Sequence, residues 1–201
     1  MDIIGRRVMK LKWIASVIML LALAGFSRGL MSQEAVDDTQ DVPRGFYVGM
    51  STGQIYFLNQ NDRRVFEDAW VVGLRAGYDL IKYLSIEGQF RFSGHDTSTQ
   101  GQSGVPNSFL AYQGLGFLIG NYPVTRRLTL FANAGGGLWY TNPNQKEIVG
   151  TAYRGMFTAG LGLQYFLKVK GLAMGLDPSL SIIKDLQGAV LQATGYLRYT
   201  F

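Results

Sequence analysis

Ala189-Val190-Leu191-Gln192-Ala193-Thr194-Gly195-Tyr196-Leu197-Arg198-Tyr199-Thr200-Phe201 is the stretch on which the reading turns. In an extended chain, side chains alternate between two faces. Ala189, Leu191, Ala193, Gly195, Leu197, Tyr199 and Phe201 then share one face, and Val190, Gln192, Thr194, Tyr196, Arg198 and Thr200 share the other. The first face is apolar; the second mixes small, polar and charged groups. Trp70, Val72, Leu74, Ala76 and Tyr78 alternate in the same way with Val71, Gly73, Arg75 and Gly77. So do Leu84, Ile86, Gly88, Phe90 and Phe92 with Ser85, Glu87, Gln89, Arg91 and Ser93. Few windows after Gly45 carry a sustained apolar face at helical spacing. A soluble sandwich would alternate too, but its polar face would hold more Lys and Glu.

Strands are expected near 45–57, 68–79, 83–94, 108–120, 127–140, 151–167, 171–182 and 189–201. The connections after the first, third and fifth are long and polar. Those after the second, fourth and sixth are short, at Leu80-Ile81-Lys82, Tyr122-Pro123-Val124 and Lys168-Val169-Lys170. Long loops on one side and tight turns on the other distinguish a closed up-and-down transmembrane β-barrel from a sandwich. The expected fold is therefore all-β, with about eight antiparallel strands, and both termini fall on the tight-turn, periplasmic side.

Aromatic residues gather near strand ends, as membrane-interface girdles do. Phe46, Tyr47, Tyr78, Tyr83, Tyr122, Tyr165, Tyr199 and Phe201 are expected at the tight-turn rim. Tyr56, Phe66, Trp70, Phe92, Phe109, Trp139, Tyr140 and Tyr153 are expected at the other. Three glycine doublets, Gly114/Gly116, Gly135/Gly137 and Gly160/Gly162, are read as facing inward, to make room for Arg and Tyr. That register turns Leu110, Tyr112 and Leu118 inward and Gln113 outward. It also leaves Pro178 inside a strand without its donor, and a β-bulge in each strand would reconcile both.

The composition fits a sheet between lipid and a crowded interior: 26 Gly, 13% aromatic and only 16% charged residues, against about a quarter charged in soluble domains. The absence of Cys excludes disulfides, thiolate metal sites, a cysteine nucleophile and a lipoprotein anchor. Arg6, Arg7, Lys10 and Lys12 precede an apolar run from Trp13 to Ala24, too short to span a bilayer as a helix but suited to a secretory signal. Cleavage is expected after Ala24, and Met9 offers an alternative start. The expected organisation is a signal peptide over 1–24, a flexible periplasmic lead-in over 25–44 with Glu34, Asp37, Asp38 and Asp41, and a barrel over 45–201. Four of the 19 basic and one of the 14 acidic residues leave with the leader, so the remainder carries about +2. No nucleic-acid surface is implied.

Arg75, Glu87, Arg91, Arg154, Asp177 and Arg198 are expected inside as a lumen ion network, since buried charges persist when paired. A narrow conducting path lined by the same groups is the alternative. Four Arg against two acids would leave it positive. The single His, His95, is read as a polar loop residue at the outer end of the third strand, near Ser93, Asp96 and Ser98. No triad, cofactor site or metal-ligand spacing is evident.

From Gly45 to Phe201 the chain resembles the eight-stranded outer-membrane β-barrel superfamily of the OmpA transmembrane domain and OmpX. The residues that carry this are Gly195, Leu197, Tyr199 and Phe201, which look like the family's C-terminal assembly signal. The family's usual Gly would fall at Tyr196; here it stands one earlier. The resemblance implies a Gram-negative outer membrane, contact with its lipid and recognition by the insertion machinery; the family includes lipid-modifying enzymes, and it is the lack of a triad around His95 that leads to the expectation of no enzyme activity. No peptidoglycan-binding domain is expected after the barrel. The functions it leaves open are a structural or interaction barrel with its lumen plugged by side chains, a small pore, and an envelope-spanning secretion or motility subunit with its own protein partner. A lipid-modifying enzyme is the remaining alternative.

Overall fold

The computed structural model describes residues 44–59, 67–96, 108–142, 153–186 and 188–201. The expected signal peptide, the lead-in before Arg44, Phe66 and most of the three long connections lie outside the described residues. Eight strands form: β1 (Phe46–Phe57), β2 (Ala69–Ile81), β3 (Leu84–Asp96), β4 (Ser108–Pro123), β5 (Leu128–Asn142), β6 (Tyr153–Phe166), β7 (Leu172–Ile183) and β8 (Ala189–Thr200). Each pairs antiparallel with the next, and β8 closes on β1 from Tyr47↔Thr200 to Phe57↔Val190. The closed barrel leaves no row of unpaired backbone groups, which is what an apolar surrounding demands.

The alternation sorts the two faces. Leu74, Ile86, Phe90, Leu118, Leu138, Phe157, Leu161 and Ile182 are exposed on the outside, while Arg75, Glu87, Gln89, Arg91, Asp177 and Gln192 are buried inside. So continuous an apolar exterior is stable only against lipid. Part of the expected girdles forms. Phe92, Tyr112, Tyr140 and Tyr153 are cross-strand partners in one row, with Tyr140 and Tyr153 stacked at 4.7 Å. Tyr47, Phe109 and Trp139 instead turn inward and are buried. For these three the alternation of their strands overrides proximity to a strand end.

The expected register of β4 is overturned. Phe109, Ala111, Gln113, Leu115, Phe117 and Ile119 point inward, and Leu110, Tyr112, Gly114, Gly116 and Leu118 point outward. No bulge is needed, since β4 pairs without a shift with both neighbours. Pro178 is absorbed differently as well. The β7–β8 ladder runs unbroken through Pro178↔Ala193, whereas the β6–β7 ladder lacks pairs between Gly160↔Ser179 and Leu163↔Leu176. The missing donor thus falls on the β6 side, in register and without an inserted residue.

The other two doublets, Gly135/Gly137 and Gly160/Gly162, do face inward. Each sits opposite a large side chain. Gly135 pairs with Phe117 and Gly162 with Phe131. A Cβ on Gly162 would lie 2.3 Å from the Phe131 ring and 2.4 Å from the Leu176 carbonyl oxygen. Tyr47 lies over Gly77 and Tyr196 over Gly175 by the same device. The inward glycines therefore reflect close approach inside a narrow barrel, where eight strands leave room for side chains and little else.

Candidate functional site in the barrel lumen

Four strands place the central charges. Period-two spacing on β3 brings Glu87, Gln89 and Arg91 to one face; β2 supplies Arg75, β7 Asp177 and β8 Gln192. Arg75 Nη2 donates to Glu87 Oε1 at 2.9 Å and to Asp177 Oδ2 at 3.0 Å. Arg91 Nη2 lies 3.8 Å from the same Asp177 oxygen, and its Nε donates to Gln89 Oε1 at 2.7 Å. Arg91 also donates to Gln192, and Gln89 to Glu87. Asn133 Nδ2 completes the Asp177 carboxylate at 2.8 Å. The Arg75 guanidinium lies over the Tyr196 ring at 3.9 Å, and the Tyr196 hydroxyl donates to Gln164 at 3.0 Å. Two guanidiniums and two carboxylates are thus bound into one buried network, where pairing offsets desolvation.

Nearer the termini, Arg198 Nη2 meets Asp79 Oδ2 at 2.8 Å and lies over the Tyr47 ring at 4.0 Å. Ser85 Oγ donates to Asp79 Oδ1 at 2.6 Å, and Asn121 Nδ2 to Ser85 Oγ at 2.7 Å. Asp79 was absent from the expected network, although the spacing Arg75-Gly77-Asp79 puts it on the inner face. Its carboxylate corrects the charge balance. Arg75, Arg91 and Arg198 face Glu87, Asp177 and Asp79, so these tiers are neutral rather than positive. Arg154 lies at the loop end, its guanidinium 5.2 Å from the Trp139 ring.

The loop end also holds an apolar cluster in which Ile55, Phe57, Val71, Phe109, Met156, Ile183 and Val190 are buried. His95 enters this cluster. It lies within β3 and is 2% exposed, so the reading as a loop histidine is corrected. Its ring stacks on Phe109 at 4.9 Å and meets Phe57 edge-on. Nε2 is 2.8 Å from Ser93 Oγ, and Nδ1 is 3.0 Å from the Glu67 carbonyl oxygen. With the proton on Nδ1, that nitrogen donates to Glu67 and Nε2 accepts from Ser93. The Ser93–His95 contact was readable from their spacing of two. Asp96 points to the opposite, exposed face. Among the described residues no cluster of three His, Cys, Asp or Glu could hold a metal ion.

Gly195, Leu197, Tyr199 and Phe201 lie on the outer face beside the seam. Phe201 N donates to the Phe46 carbonyl at 3.0 Å, its ring stacks on Phe46 at 5.8 Å, and Tyr199 meets it edge-on at 5.2 Å. They therefore sit where the last strand meets the first.

The family described as outer membrane protein beta-barrel domain matches residues 18–197. No curated protein matches the sequence. Among solved structures, Neisserial surface protein A is similar, with a TM-score of 0.56 at 10% identity, covering 78% of this chain and 97% of that one. The outer membrane protein OprG from Pseudomonas aeruginosa is similar with a TM-score of 0.53 at 11% identity, covering 82% and 100%. At these identities the likeness is one of fold.

Proposed function

We propose that this chain, which belongs to the outer membrane protein β-barrel domain family, serves as a structural and interaction barrel of the Gram-negative outer membrane, with its lumen closed by its own side chains. The observation that carries this is the neutral, cross-linked tier of Arg75, Arg91, Glu87 and Asp177. A conducting path needs groups that bind ions weakly enough to release them, and here the charges bind one another. Planar-bilayer recording of the refolded protein tests the reading. No unitary current steps are expected; discrete steps would establish the small pore instead.

The loops and the acidic segment before Arg44 remain the surfaces for a protein partner, for which crosslinked pulldown from intact envelopes is the assay. Both termini are proposed to be periplasmic, with Gly195, Leu197, Tyr199 and Phe201 read by the insertion machinery. Deleting Phe201 should then sharply lower outer-membrane yield while leaving refolding in detergent intact, because one rim aromatic contributes a few kcal/mol at most. Normal assembly of the truncated chain in cells would reduce Phe201 to rim packing.

One observation favours a catalytic reading: the Ser93–His95 pair at 2.8 Å. Both residues are enclosed, at 1% and 2% exposure, and a nucleophile must be reached by its substrate. We therefore propose no enzyme activity. A fluorophosphonate probe should leave Ser93 unlabelled in the folded protein; labelling lost in His95→Ala would establish a hydrolase.

A further inference from the structure

Among the described residues, cations predominate at the termini end of the barrel and carboxylates at the loop end. All three short turns at the termini end are basic: Lys82 between β2 and β3, Arg126 and Arg127 between β4 and β5, Lys168 and Lys170 between β6 and β7, all exposed except the half-buried Arg127. Arg44 adds a sixth positive charge beside β1. Among the described residues the side-chain carboxylate at this end is Asp79, and it is committed to Arg198 at 2.8 Å. At the loop end the described charged groups are Glu67, Asp68, Asp96 and Asp185, with Arg154 and Lys184. The termini end is also ringed by exposed Tyr78, Tyr83, Tyr122, Tyr165 and Tyr199. Lys82 Nζ sits 5.6 Å from the Tyr83 ring. Phenol rings mark the depth of lipid headgroups, so these cations are held at the level of the phosphates.

We infer that the ring formed by Lys82, Arg126, Arg127, Lys168 and Lys170 is a binding surface for phospholipids with net negative headgroups, which it gathers preferentially around the termini end of the barrel. The distribution decides for lipid over a single macromolecular partner. The three turns are spaced around the whole circumference, alternating with strand pairs, as a lipid shell is; a docked protein or peptide would be served by a one-sided patch. Lys and Arg near an anionic surface attract its lipids, and the attraction falls off within a Debye length. The inference rests on the chain being a membrane barrel, and is independent of whether the lumen conducts.

The test is the association of spin-labelled phosphatidylglycerol and phosphatidylcholine with the full chain refolded in phosphatidylcholine vesicles. Heat-modifiable gel mobility reports the barrel in each sample, so loss of fold is separated from loss of lipid preference. At low salt the phosphatidylglycerol label should be favoured by about threefold or more. The preference should vanish near 1 M salt, where the Debye length is about 3 Å. It should also vanish in the variant Lys82→Gln, Arg126→Gln, Arg127→Gln, Lys168→Gln, Lys170→Gln, and persist in Lys184→Gln. Should the fivefold variant fail to fold, the salt titration of the unaltered chain decides alone. Equal association at low salt, or a preference that survives high salt, overturns the inference. So does displacement by inorganic phosphate at matched ionic strength, which would indicate a free-anion site. A preference that emerges only after Glu34→Gln, Asp37→Asn, Asp38→Asn and Asp41→Asn would show that the chain's own acidic segment occupies the ring, and overturns it as well.

Discussion

Strands β3 and β4 lie side by side, paired from Leu84↔Gly120 to Asp96↔Ser108, yet they present opposite chemistry to the lumen. The inner face of β3 reads Ser85, Glu87, Gln89, Arg91, Ser93, His95; that of β4 reads Phe109, Ala111, Gln113, Leu115, Phe117, Ile119. The outer faces are similar, since both meet lipid. The difference lies in what each inner face looks at. Side chains of β3 reach across to Asp177 and Gln192 on β7 and β8, and to Arg75 on β2, where every charge finds a partner. Those of β4 meet Phe131 and the aromatic cluster, and Phe117 backs the Arg91 guanidinium at 6.0 Å. A barrel lumen can thus be polar on one wall and apolar on the next, because a filled interior needs satisfied groups and does not need water.

The comparison is broken most forcefully at the polar wall. Asp177 accepts from Arg75 and Asn133 and lies beside Arg91. Asp177→Ala leaves buried cations short of a partner and should cost about 3–5 kcal/mol in urea unfolding from detergent. Glu87→Ala should cost somewhat less, since Arg75 keeps Asp177. A loss under about 0.5 kcal/mol for either, as at exposed sites, would mean that the β3 side of the lumen is solvated.

A smaller effect separates the two possible registers of β4. Gly135 on β5 faces inward, and a Cβ there would lie 2.1 Å from the Gly116 carbonyl oxygen and 2.7 Å from the Phe117 ring. Gly116 faces outward, with nothing within 4 Å of its Cβ position. Gly135→Val should lose about 1–3 kcal/mol by overpacking, whereas Gly116→Val should stay within about 0.5 kcal/mol. If the same unfolding assay ranks them the other way round, β4 is turned over and its small residues face in.

The finest distinction concerns Gln113, a polar group set among the apolar side chains of that wall, which accepts from Gln192 Nε2 at 3.3 Å. Gln113→Leu should cost about 1 kcal/mol, the net worth of a hydrogen bond whose partner is left buried. Were Gln113 in lipid, the same substitution would raise stability.

These two strands also measure how far sequence reading reaches. On β3 every second residue is polar, so a period of two defines both faces and the lumen charges Glu87 and Arg91 could be named in advance. On β4 both faces from Phe109 to Gly120 are apolar or aromatic apart from Gln113, and alternation loses its contrast. Size then guided the reading, which put Gly114 and Gly116 inside and Tyr112 outside the lipid. The structure inverts this because a glycine facing lipid incurs no desolvation penalty, while Tyr112 on the outer face stacks between Phe90 and Tyr140, which in turn stacks on Tyr153. His95 was misread for a related reason. It stands at the end of its strand, where polarity suggests a loop, but its strand continues to Asp96 and carries the ring inward.

Strand number, strand order, the closed barrel and its outward apolar face were determined by the sequence alone, through local period and the lengths of the connections. These are properties of neighbouring residues, and lipid outside permits no open edge. Partnership inside the lumen was decided only by the tertiary structure. Arg75 meets Asp177 across a separation of 102 residues, Arg91 meets Gln192 across 101, and Arg198 meets Asp79 across 119. No local pattern specifies such pairs. They follow from the stagger of eight strands around a closed ring, which brings side chains from non-adjacent strands to the same height.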